Sequence, residues 1–281
     1  MFKTGRLFVM PFVELRGLRF YYERGGEGPP LLVFNGTGAD LRRKPGMFES
    51  PLVGSFEMVC HDQRGLGQSA RPDVRYTMAD YAEDAEALLD HLGWMRCRIL
   101  GISFGGMVAQ EFAIRFADRV DRLVLACTSS GGEGGASYPL HELAELEEED
   151  RVLRTLQIAD VRMDSDWMEA NPEAVRSLVA YQDSSKQPGV GEENRAIGAR
   201  RQLEARSYHD TWDRLGEIRA PTYLCGGRYD GLATPENMEN LAARIPESRL
   251  EFFEGGHPFL LQDPSSWARI VEFLAGDSEG E

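Results

Sequence analysis

The chain has 281 residues, 42% of them hydrophobic, with 46 acidic against 31 basic side chains and a formal charge of −15. That length suffices for one sizeable core, with or without an appended lid, and no apolar run nears the roughly 18 residues that span a bilayer. The acidic balance repels nucleic acid and anionic membrane, so neither is an expected partner. Met1 to Met10 begins weakly basic but has no sustained apolar run or small-residue cleavage site, so no signal peptide is expected. Cys60, Cys97, Cys127 and Cys225 sit in or beside strand-like runs with no C-x-x-C spacing. They read as buried free thiols in a reducing cytoplasm, not as a metal or redox site.

In chain order, residues 12–15 and 18–22 flank Arg16-Gly17 and read as a hairpin. The apolar run 30–34 suits a strand buried on both faces, and 56–60 is the next strand. Thr77 caps a helix whose apolar positions recur at Met78, Tyr81, Ala82, Ala85, Leu88, Leu89 and Leu92. Further strands are expected at 97–102, 122–127, 221–226 and 249–253. Helices are expected at 104–117, 234–245 and 263–275, the last two opened by Pro235 behind Thr234 and Pro264 behind Asp263. Strands alternating with helices imply a mostly parallel, eight-stranded sheet covered on both faces. Ligands then bind at the carboxyl ends of the strands.

Residues 137–210 break this rhythm with helical stretches at 140–157, 172–183 and 191–208 and no strand-like run. They read as a helical cap inserted after the sixth strand, over a core made of 1–136 and 211–281. A cap there would exclude water and shape a pocket. The acidic runs 145–150 and 277–281 read as solvated charge.

The chemistry centres on Gly101-Ile102-Ser103-Phe104-Gly105-Gly106, a serine between glycines where a strand turns into a helix. A turn this tight has no room for flanking side chains, and it projects the serine hydroxyl from its apex. A free hydroxyl is a poor nucleophile and needs a base. Of the five histidines, His257 follows a strand and lies in a glycine-flanked loop. His209 is the rival near the pocket, while His61, His91 and His141 fall elsewhere. Asp230, after the strand 221–226, would orient His257 and stabilise its charged form. Asp62 and Arg64 read as braces of their loop. The backbone N–H of Phe104, next after the nucleophile, is one expected donor to a developing oxyanion.

The order Ser, Asp, His, the elbow, and the loop Asp62-Gln63-Arg64-Gly65-Leu66-Gly67-Gln68-Ser69 together resemble the α/β-hydrolase superfamily from about residue 12 to about residue 275. The runs Gly36-Thr37-Gly38-Ala39-Asp40-Leu41-Arg42 and Ser103-Phe104-Gly105-Gly106-Met107-Val108-Ala109-Gln110 look most like the 3-oxoadipate enol-lactonase and carboxylesterase branch. The resemblance implies the α/β-hydrolase fold and a Ser103–His257–Asp230 triad. It also implies a second oxyanion donor at the Thr37 N–H. Asn35-Gly36 stands where the family most often carries His-Gly. Asn35, Gly36 and Arg42 become candidate substrate contacts.

The implied activity is hydrolysis of a small carboxylic ester or lactone through an acyl-enzyme. The runner-up is a carbon–carbon bond hydrolase acting on a vinylogous diketone. A non-catalytic ligand receptor on the same fold is the reading from another class. Neither a dinucleotide fingerprint nor an H-E-x-x-H run is present, so no cofactor or metal is expected. Arg195, Arg200, Arg201 and Arg206 lie in helix 191–208, and the branch resemblance implies a substrate carboxylate that one of them could clamp. The alternative is that they pair with surface acids. Homo-oligomerisation is left open.

Overall fold

The computed structural model describes residues 12–182 and 187–276. The start over 1–10, the acidic tail over 277–281 and the last residue of the helix expected over 172–183 lie outside the described residues. Eight strands form one sheet: β1 (Phe12–Leu15), β2 (Leu18–Gly25), β3 (Pro30–Phe34), β4 (Glu57–His61), β5 (Cys97–Ile102), β6 (Val120–Ala126), β7 (Thr222–Gly227) and β8 (Ser248–Phe253). Their spatial order is β1-β2-β4-β3-β5-β6-β7-β8. The β1–β2 and β2–β4 pairs are antiparallel and all others parallel. This is the α/β-hydrolase fold expected from the sequence.

Successive side chains of a strand point to opposite faces, and the central strands obey this. Leu32, Phe34, Ile99, Leu123, Leu125 and Leu224 enter one apolar layer, while Leu31, Val33, Leu100, Val124 and Ala126 enter the other. The first layer is closed by α1 (Met78–Leu92), α2 (Phe104–Arg115) and α7 (Pro235–Arg244). The second is closed by α8 (Phe259–Gln262) and α9 (Ser265–Ala275). Both faces are therefore covered, which is why β3 reads as a continuous apolar run. Thr77 accepts from the Asp80 N–H while Asp80 reaches back to the Thr77 N–H, the reciprocal cap that starts α1. All four cysteines are buried and free.

Between β6 and β7 lie α3 (Glu148–Ala159), α4 (Ser165–Ala170), α5 (Pro172–Gln182) and α6 (Arg195–Ser207), with no strand among the described residues. The single helix expected over 140–157 is divided. A 3-10 turn, Leu140–Glu145, ends where Leu146 and Glu147 go extended, and α3 starts afresh. Glu148, Glu149 and Asp150 then fill the first turn of α3, where negative charge meets the positive end of the helix dipole. The acidic run is thus partly a helix start. The helix α4 was not expected; Asp164 caps it by accepting from the Trp167 N–H. The helix α6 begins four residues later than expected, because Gly189, Gly191 and Asn194 all take positive φ. No helix among the described residues is long and apolar enough to cross a membrane.

Candidate active site

The strand β5 runs between β3 and β6 and ends at Ile102. The chain turns at Ser103, with φ 56° and ψ −118°, and α2 starts at Phe104. A non-glycine residue holds such a conformation at a cost of roughly 1–3 kcal/mol, and only where its surroundings enforce it. Here the Ser103 N–H donates to the Ala126 carbonyl at 2.8 Å, and the Thr128 hydroxyl donates to the Ser103 carbonyl at 2.8 Å. Gly105 sits so close to β3 that a Cβ there would run into the Phe34 carbonyl oxygen. The serine is 9% exposed.

Asp230 lies just beyond β7 and is buried. One carboxylate oxygen accepts the N–H groups of Leu232 and Ala233, at 2.8 and 2.9 Å. The other lies 2.8 Å from Nδ1 of His257, and Nε2 of His257 lies 3.0 Å from the Ser103 hydroxyl oxygen. A carboxylate only accepts, so Nδ1 carries the proton. That leaves the Nε2 lone pair to accept from the Ser103 hydroxyl. The three groups form one directed chain of hydrogen bonds at the carboxyl edge of the sheet. Such a chain can take the serine proton as the oxygen attacks a carbonyl carbon.

Beside the serine, the chain leaves β3 through Asn35 and Gly36. A Cβ at Gly36 would stand 3.5 Å from the Ser103 Cβ, so Thr37 follows within a residue of the nucleophile. Phe104 is the first residue of α2, and its N–H has no acceptor within the helix. The neighbouring Gly38 N–H is taken by the Gln202 side chain on α6 at 2.8 Å. Gln202 is buried, with its amide nitrogen unpartnered, as is the Thr37 hydroxyl. Sequence reasoning missed Gln202, because α6 carries too few apolar residues to mark its inward face. Asn35 is held through its carbonyl, which accepts from the Gln63 amide at 2.9 Å.

Arg42 is drawn away from the site. Its guanidinium binds Asp40 and Glu192, and Asp40 above all holds its charge in place. The geometry therefore speaks against Arg42 as a substrate contact. Arg200 and Arg201 likewise pair with Asp73 and Glu204. Arg206 differs. It is buried, donates only to the Tyr138 carbonyl and the Ser137 hydroxyl, and has no carboxylate partner among the described residues. Burial alone pulls its pKa down to about 10.

The rival histidine is committed elsewhere. His209 is buried against the Ser129 carbonyl, and desolvation pushes its pKa down to about 4. His61 is buried with the same result, about 4. Asp62 accepts the N–H groups of Leu41 and Gln68, and Arg64 pairs with Asp84, so both brace their loop. Sequence reasoning also missed the placement of Cys127, whose sulfur lies within 4.8 Å of the Asp230 and His257 ligating atoms. Burial raises the pKa of that thiol well above its ordinary value. A groove of about 380 Å³ lies behind the acid loop, lined by Tyr138, Leu232 and Asn237, and does not reach Ser103.

The family described as alpha/beta hydrolase fold matches residues 29–264. A poly(3-hydroxyalkanoate) depolymerase from Ectopseudomonas oleovorans is 30% identical over 86% of this chain and 82% of its own. A 3-oxoadipate enol-lactonase 2 from Acinetobacter baylyi is 27% identical over 87% of each chain. A 2-hydroxymuconate semialdehyde hydrolase from Pseudomonas putida is 30% identical over 92% of each.

Proposed function

This chain belongs to the α/β-hydrolase fold family, near its enol-lactonase branch, and on that footing we propose that it hydrolyses a carboxylic ester or lactone through an acyl-enzyme on Ser103. The observation that carries this reading is the unbroken run from Asp230 through His257 to the Ser103 hydroxyl, at 2.8 and 3.0 Å. Ser103 attacks the carbonyl carbon, His257 takes its proton, and Asp230 stabilises the imidazolium. The N–H groups of Phe104 and Thr37 receive the oxyanion, each worth roughly 3 kcal/mol in the transition state. His257 then protonates the leaving oxygen, and water repeats the sequence in reverse.

Residues 137–210 serve as a cap on a core made of 1–136 and 211–281. The support is that α6 binds the loop after β3 through Gln202. The four buried free thiols fit a reducing compartment and support a cytoplasmic location.

Ser103→Ala tests the core of the proposal. On p-nitrophenyl acetate it should lose kcat by a factor on the order of 10⁶, and wild type should form a phosphonate adduct that maps to Ser103. Activity of the variant within tenfold of wild type would refute the assignment. Product analysis separates the two bond types: an ester or simple lactone yields an acid and an alcohol, an enol-lactone a single keto acid with its carbon skeleton intact, and a cleaved diketone an acid and a separate ketone fragment.

Arg206 supports an acid-bearing substrate. A buried guanidinium with no counter-charge carries several kcal/mol of uncompensated desolvation, which a substrate carboxylate would relieve. Gln202, one turn away on the same face of α6, already meets the loop beside Ser103. For matched esters with and without a distal carboxylate, kcat/KM should favour the acid, and Arg206→Met should abolish that preference while sparing the neutral ester. Equal turnover of both esters by wild type would leave a general carboxylesterase.

A further inference from the structure

The end of α3 touches both the acid loop and the base loop of the site. The Ile158 carbonyl accepts from the Gly231 N–H at 3.0 Å, next to Asp230. The Ala159 carbonyl accepts from the His257 N–H at 2.5 Å, and the Val161 N–H donates to the Tyr229 carbonyl at 3.0 Å. A single turn, residues 158–161, thus ties the acid loop to the base loop. The approach is as close as backbone allows: a Cβ on Gly256 would strike the Ala159 carbonyl oxygen, and one on Gly231 would stand 2.7 Å from a Val161 methyl.

At the centre of this turn, Asp160 is buried to 1% exposure. One oxygen accepts from the backbone and side chain of Arg162, the other from Arg162 and from the Gln262 amide at 2.9 Å. The Gln262 carbonyl oxygen in turn accepts the Gly256 N–H at 2.8 Å. Burial opposes the charge on Asp160, but the hydrogen bonds from Arg162 and Gln262 outweigh it and hold the carboxyl below its ordinary value. The relay has a direction. Gln262 must turn its oxygen to the Gly256 N–H, so it must turn its nitrogen to residue 160, which must accept.

We propose that Asp160 is a positioning residue for His257, acting through Gln262 to fix the Gly256–His257 peptide against the end of α3. This rests on the reading of Ser103, His257 and Asp230 as the reacting groups. Asp160 touches no reacting atom. It sets where the imidazole stands, and it does so from outside the sheet, so the base is in place only when α3 is docked.

The test follows the direction of the relay. Asp160→Asn sets a donor against a donor at Gln262 or at Arg162, and Gln262→Leu removes the link from the other side. Both should lower kcat on p-nitrophenyl acetate on the order of 10²-fold, the usual result of a misplacement near 1 Å, with KM unchanged and the melting midpoint lowered by only a few degrees. The double variant Asp160→Asn with Gln262→Glu rebuilds the chain, the asparagine amide donating to the glutamate and the glutamate accepting from Gly256, and should recover most of kcat. Reaction with a fluorophosphonate should fall and recover in parallel. Wild-type kcat in both single variants overturns the inference. So does a loss that appears only in KM, or one that follows the melting midpoint and is not recovered in the double variant. The wild-type adduct keeps the two questions apart. No adduct at Ser103 means the reading of the site has failed. A normal adduct formed at the wild-type rate in the Asp160 variants means only that Asp160 does not position the base.

Discussion

Ser103 and His257 approach within 3.0 Å, yet the chain holds them by different means. Ser103 is fastened to the sheet: its own N–H goes to Ala126 at the end of β6, its carbonyl to Thr128, and its turn is pressed against Phe34 on β3. His257 lies beyond β8, an outer strand of the sheet; its loop meets the loop after β7 where the Tyr229 N–H donates to the Gly255 carbonyl, and otherwise bonds outward, to Ala159 and by way of Gln262 to Asp160. The nucleophile therefore shares the stability of the whole sheet, while the base shares the stability of the docking of α3. Regions of one protein open with different free energies, so conditions that loosen the helical segment should cost activity before they cost the fold.

The largest blow to this comparison comes from Asp230, which joins the two sides. In Asp230→Asn the oxygen can keep the Leu232 and Ala233 N–H groups, but the amide nitrogen then faces Nδ1 of His257. The imidazole must move its proton to Nε2, where it can no longer accept from Ser103. The expected loss in kcat is on the order of 10⁴-fold with little change in melting midpoint, since the side chain is replaced by one of nearly equal size. Turnover of p-nitrophenyl acetate within tenfold of wild type, at equal stability, would remove Asp230 from the chain of groups.

The same division explains what was legible in the sequence. The sheet side was written in strong local signals. The run 97–102 is β5 to the residue, and the stripe from Met78 to Leu92 is α1, because burial on two faces leaves a short, mostly apolar run and burial of one helical face leaves a clear period. Strand ends then placed Ser103, Asp230 and His257 at one edge. The helical segment was blurred. Its inward stripe on α6 runs Gly198, Gln202, Ala205 and Arg206, with too little apolar content to show which face is buried. The turn 158–161 was invisible because its bonds to the acid and base loops are made by backbone groups, which any sequence carries. Arg42 looked available next to the oxyanion loop; that Glu192, far along the chain, would claim it is a tertiary fact.

A smaller effect, on stability, sets the two regions against each other under acid. His61 ends β4 and stacks edge-on near Phe34 in the sheet, while His209 closes the helical segment against the Ser129 carbonyl. Desolvation holds both near pKa 4, against about 6.5 in an unfolded chain. Between those values the unfolded state binds protons that the folded state refuses, so stability is lost as pH falls through 6.5 toward 4. At pH 5 each histidine should cost about 2 kcal/mol relative to pH 8. His209→Gln, which can still donate to Ser129, should remove its share: urea unfolding at pH 5 should show a gain of about 2 kcal/mol over wild type, and at pH 8 almost none. If His209→Gln unfolds in parallel with wild type from pH 8 to pH 5, the buried neutral histidine is not what ties that segment to pH.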